Sequence, residues 1–120
     1  MTLQLPSTVI FVHQDDGALA ILSGIEDAQR EYEAIDVENG EYRFYNYLGH
    51  PLSVSMTRPV EHGTFLGLFK TVAGGEFTLV EGSVDSAKEL RALLPTLSEL
   101  LKNPWFPTVD SLTVYLSTVP

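Results

Sequence analysis

Short apolar runs, each closed by Gly, Pro or Asp, follow one another along the whole 120-residue chain. Thr8–His13 (Thr-Val-Ile-Phe-Val-His) is apolar almost throughout and rich in β-branched and aromatic residues, which predicts a central strand. Asp16-Gly17 follows as a hairpin signal, because both residue types tolerate positive φ, so Ala18–Leu22 is expected to pair back on the first strand. Ser23 with Glu26 three residues on predicts a capping box. Asp27 adds a second negative charge where the helix dipole favours it. Ile25, Ala28, Tyr32 and Ile35 recur at helical spacing, giving one apolar face to a helix from about Gly24 to Ala34.

Asn39-Gly40 marks a turn into an aromatic-rich strand, Glu41–Tyr47. Gly49-His50-Pro51 turns the chain again. Leu52, Val54 and Met56 then alternate with Ser53, Ser55 and Thr57, a half-buried strand with one wet face, and these two segments form a hairpin. Arg58–Gly63 reads as a loop. Thr64–Val72 and Glu76–Glu81 read as a further hairpin around Ala73-Gly74-Gly75, with Gly67 marking a bulge or a close approach. Ser83 or Asp85 is expected to cap a second helix carrying the stripe Leu90, Leu93, Leu94, Leu97, Leu100 and Leu101. Pro95 should kink it or open a second short helix, and Asn103-Pro104 should end it. Leu112, Val114 and Leu116 alternate with Thr113, Tyr115 and Ser117, which predicts a last strand.

These elements give one α+β domain over residues 1–120, in the order β-β-α-β-β-β-β-α-β. Hairpins dominate, so a largely antiparallel sheet of five to seven strands is expected, with two helices packed on one face. At 44% hydrophobic the chain can bury a core without staples, and with no cysteine it has no disulfide and no thiolate metal site. Cysteine absence fits a reducing compartment. Met1-Thr2-Leu3-Gln4-Leu5-Pro6 lacks a basic start and a long apolar run, so no signal peptide is expected and the protein reads as cytoplasmic.

Charge narrows the function classes. Sixteen acids against seven bases give a net charge of −9, which disfavours nucleic acid and anionic membrane as partners and would draw in a basic one. The surplus is concentrated in Glu26, Asp27, Glu31, Glu33, Asp36, Glu38 and Glu41, with Arg30 the sole base among them. Capping and solvation account for part of this run; a docking surface for a basic protein is the alternative. Alternation puts Tyr42 and Phe44 on one face of their strand and Tyr45 and Tyr47 on the other. With one sheet face covered, Tyr45 and Tyr47 are expected in solvent beside Arg43, as interface anchors. Trp105, held between Pro104 and Pro107, is either a core plug or a binding hot spot. The candidate binding residues are therefore Glu31, Glu33, Asp36, Glu38, Glu41, Arg43, Tyr45, Tyr47 and Trp105.

His13, Asp15 and Asp16 surround one turn, and His50 and His62 lie in loops; such side chains are ligand types for a divalent metal. The same aspartates are ordinary turn residues, and no HExxH, nucleophile elbow, P-loop or GxGxxG occurs. No metal, no cofactor and no catalytic residue is expected, with a small His/Asp metal-dependent enzyme kept as an alternative.

The stretch Val9 to Leu52, through Ile10-Phe11-Val12-His13-Gln14-Asp15-Asp16-Gly17 and Ile35-Asp36-Val37-Glu38-Asn39-Gly40-Glu41-Tyr42, resembles small acidic bacterial proteins without assigned activity, some of them similar to immunity proteins of polymorphic toxin systems. The resemblance implies a protein-binding module, an inhibitor that would occlude the basic active site of a toxin or nuclease. It implies no catalytic residue. The other class is a self-associating structural domain, whose last strand offers an edge through which a homodimer would form across a two-fold axis.

Overall fold

The structure, a computed structural model, describes residues 5–65 and 69–119. Its elements are β1 (Ile10–Gln14), β2 (Ala18–Leu22), α1 (Ile25–Glu31), α2 (Ala34–Glu38), β3 (Tyr42–Tyr45), β4 (Pro51–Arg58), β5 (Glu61–Phe65), β6 (Phe69–Ala73), β7 (Glu76–Glu81), α3 (Lys88–Leu93), β8 (Glu99–Leu100) and α4 (Val109–Ser117). Six strands form one sheet in the order β7-β4-β3-β1-β2-β8, antiparallel except where β8 joins β2 in parallel. β5 and β6 form a separate two-stranded ribbon. The fold is α+β with a mostly antiparallel open sheet, as the hairpin signals imply. No helix among the described residues is long and apolar enough to cross a membrane.

β1 is central because it is apolar on both sides. Ile10 and Val12 point to one face, where Ala28 of α1, Val37 of α2, Ala20, Phe44 and Phe77 complete a core. Phe11 points to the other, among Leu19, Ile21, Tyr45, Leu90 of α3, and Leu112 and Leu116 of α4. Helices thus cover both faces, not one. The alternation expected of β4 holds in part: Ser53 and Thr57 are exposed and Leu52 and Met56 pack on the α1/α2 core, but Ser55 is half-buried and Val54, expected inside, is 38% exposed.

The residue range predicted as the last strand is helix α4. Leu112 and Leu116 are four apart and fully buried, whereas Val114, which alternation would bury beside them, is 65% exposed. Thr108 starts this helix: its side chain accepts from Ser111 N at 3.1 Å, and Ser111 Oγ accepts from Thr108 N at 3.3 Å. The homodimer route through a last strand is therefore closed.

Other boundaries moved for local reasons. The single helix expected from Gly24 to Ala34 breaks at Tyr32, whose extended backbone (φ −116°, ψ 134°) separates α1 from α2. The Ser23/Glu26 capping box is not formed; Gly24 is the N-cap, and Ser23 Oγ bonds the Asp27 carboxylate instead. α3 begins after Ala87, with Ser86 Oγ accepting from Lys88 N at 3.1 Å, so neither Ser83 nor Asp85 caps it. A short 3-10 turn, Leu94–Thr96, follows α3 with Pro95 at its second position, one residue later than the expected first, still within the turn where its missing N–H costs nothing. The leucine stripe then leaves helical geometry, and Leu100 pairs with Leu19 as part of β8. Arg58–Gly63 is mostly strand, with only Pro59-Val60 between β4 and β5. β7 pairs with β4 and not with β6, so Gly74 and Gly75 (φ +70° and +91°) carry the chain from the ribbon back to the sheet. The bulge expected at Gly67 lies outside the described residues.

Candidate functional site: an acidic surface around two tyrosines

The register of β1 on β3 creates the site. Gln14 sits opposite Tyr42, so the β1–β2 turn, with Asp15 and Asp16, lies beside the residue that precedes Tyr42, Glu41. The break between α1 and α2 brings Tyr32 to the same place. The Tyr32 and Tyr42 rings are 4.3 Å apart at centroids, inclined by 40°, and Gln14 Nε2 donates to Tyr32 Oη at 3.0 Å. Tyr32 is buried and Tyr42 half-buried, so the pair forms an aromatic floor that is wet at one rim.

Carboxylates gather round that rim from three segments: Asp15 and Asp16, then Glu31 and Glu33, then Asp36 and Glu41. Their effect is legible in the titrating groups. Burial, then the charges of Asp36, Glu41, Asp16 and Glu33, push the Tyr42 phenol above its ordinary value. Burial is also the first cause at Tyr32, where Glu31 and Asp16 add to it. The Glu41 carboxyl is raised mainly by a hydrogen bond with the Asp36 side chain, next by burial, and then by the charges of Asp36 and Asp15. A carboxyl raised by a neighbouring carboxylate marks a place where negative charge is crowded. Among the described residues no Lys, Arg or His forms an ion pair with any of these six carboxylates. Asp16 also serves its turn, its Oδ1 accepting from Ala18 N at 3.0 Å.

No protein-family model, no curated protein and no solved structure matches this chain. The chemistry of the surface is therefore read from its own residues. It offers acceptors and an aromatic edge, the complement of lysine and arginine side chains. A cavity of about 530 Å³ lies at the other end of the same sheet face, with Glu26 and Glu81 among its lining, so negative charge extends along the α1/α2 side.

The candidate residues divide. Glu31, Glu33, Asp36 and Glu41 are brought together here. Glu38 is drawn away to His62, 3.1 Å from its Nε2. Arg43 points to the opposite face, where Nη1 lies 3.5 Å from Glu89 Oε1. Tyr45 corrects the expectation of an exposed anchor: it is 1% exposed, inside the core under α3 and α4. The expectation assumed one bare sheet face; with both covered, Phe44 on one side of β3 and Tyr45 on the other are both interior. Tyr47 is half-buried against the same core, and its carbonyl accepts from Tyr115 Oη at 2.5 Å. Trp105 is half-buried against that core too, its N donating to Asn103 Oδ1 at 3.0 Å. The aromatics that do join the acids, Tyr32 and Tyr42, were assigned by pattern to the helix core and to the inner face of the strand. Only the pairing of β1 with β3 could have revealed them.

The three histidines do not converge. His13 lies in β1 one residue from Gln14, the end next to the acids; His50 is buried in the β3–β4 turn at the far end of the sheet; His62 is on β5. Among the described residues no three His, Asp or Glu side chains form a group suited to hold a metal.

Proposed function

We propose that this chain is a protein-binding module that captures a basic protein through the carboxylates around Tyr32 and Tyr42, acting as an immunity-type inhibitor of a basic toxin or nuclease in the cytoplasm. The observation that supports this reading is the gathering of six carboxylates from three segments around one aromatic floor, with no cation paired to them among the described residues. Like charges crowded in this way repel one another, and a folded monomer gains nothing from the arrangement; a basic partner relieves it. Partner Lys and Arg would pair with Glu33, Asp36 and Glu41 while a guanidinium stacks at the Tyr42 rim, and the field of a −9 chain would speed encounter. Freedom from cysteine suits a reducing compartment.

The test is capture from the source cell with wild type and with the triple variant Glu33→Gln, Asp36→Asn, Glu41→Gln. A basic protein retained by wild type at low salt, released as ionic strength rises and not retained by the variant, is the expected result. Equal retention by the variant, or retention insensitive to salt, overturns the reading.

A further inference from the structure

The β5–β6 ribbon stands outside the six-stranded sheet, and its five residue pairs run from Glu61↔Ala73 to Phe65↔Phe69. The molecule is long for its size: 60 × 26 × 23 Å, with a radius of gyration of 16.0 Å where about 14 Å is expected of 120 residues. The ribbon follows β4 across only Pro59-Val60. Its base is fixed. Val60 is buried, and a Cβ on Gly75 would lie 2.6 Å from Val60 Cγ2 and 3.0 Å from Ala34 Cβ. The His62–Glu38 contact ties β5 to α2.

A lone two-stranded ribbon is marginal in water, and among the described residues no other strand pairs with either of its outer edges. We propose that β6 pairs antiparallel with β6 of a second copy across a two-fold axis at Thr71, making a four-stranded sheet from two ribbons. Three observations favour a second copy and this strand. Residues 61–73 carry one acid, Glu61, and one full base, Lys70, so the ribbon is a neutral part of a −9 chain, where two copies meet without net repulsion between the strands. Five paired residues span about 17 Å, roughly two Debye lengths at physiological salt, which holds the acidic bodies apart. β6 (Phe-Lys-Thr-Val-Ala) has the β-favouring residues, whereas β5 has Gly63 at its centre. An axis at Thr71 sets Lys70 opposite Val72 of the other copy and Phe69 opposite Ala73, with no like charges face to face. The acids around Tyr42 play no part in this contact, so it stands or falls independently of the proposed partner.

Sedimentation over about 1 to 200 µM tests it, because an interface this small predicts a weak dimer. Wild type should pass from monomer to dimer across that range. Thr71→Glu and Thr71→Lys each place like charges on the axis and should weaken the dimer roughly fivefold or more. An equimolar mixture of the two variants should regain dimer as a heterodimer. A wild type that stays monomeric, variants that dimerise as wild type does, or a mixture that fails to recover each overturns the proposal.

Discussion

Removing an oxygen should make this protein more stable. Tyr45 lies on the α3/α4 side of β3, 1% exposed, and among the described residues no group meets its hydroxyl at hydrogen-bonding geometry. Burial first, then the charge and close approach of the Glu89 carboxylate, hold the phenol well above its usual value, with Arg43 opposing them. A buried hydroxyl without a partner costs about 1–3 kcal/mol of desolvation. Tyr45→Phe removes that cost and keeps the ring among Phe11, Leu90 and Leu116. The space left is smaller than a methyl group, a loss under about 1 kcal/mol. The net gain is about 1 kcal/mol, or a Tm rise of roughly 4 °C for a domain of this length. Urea unfolding followed by far-UV circular dichroism measures it, with an unchanged m-value as the sign that only stability moved. A lower midpoint would mean that the hydroxyl is bonded in solution, to water or to Glu89, and would refute the reasoning. The substitution should also leave partner capture intact, because a side chain under two helices cannot touch a partner.

Gly49 has φ +79°, and a Cβ there would meet Leu116 Cδ2 at 2.9 Å and Ala87 Cβ at 3.0 Å. Gly49→Ala should cost about 2–5 kcal/mol from backbone strain and overpacking together, whereas Gly40→Ala (φ +77°, nothing within 4 Å) should cost about 1–2 kcal/mol; equal costs in chemical denaturation would contradict the packing described. The native state favours a protonated Glu41, so its contribution to stability is fully present below the ordinary value of 4.5 and is lost as pH rises through the raised native value. Carboxyl-carbon NMR titration should therefore find Glu41 above 4.5 in wild type and back near it in Asp36→Asn. Val114→Ala, at an exposed site inside α4, should stabilise by a few tenths of a kcal/mol, up to about 0.7; a clear loss would instead fit a strand.

Local chemistry made much of this fold legible. Asp16-Gly17 and Gly49 mark hairpin turns where the structure has them, and the unbroken apolar run of β1 announces a strand buried on both sides. Pro95 sits in the first turn of a new 3-10 segment, where a residue without an N–H is tolerated. The two-residue period was less secure at the end of the chain, where Leu112 and Leu116 satisfy both an alternating and a four-residue spacing. Thr108 with Ser111 was the local sign that could have decided it.

The surplus of acids follows from composition, and its concentration between Glu26 and Glu41 from the order of residues. Which aromatics stand beside those acids follows from neither, because adjacency across strands depends on register and on what covers each face. α3 and α4 bury Tyr45, and the Gln14–Tyr42 pairing carries Asp15 and Asp16 to Glu41. Side-chain type is written in the chain, but exposure is a property of the neighbours that folding brings, and those are distant in sequence.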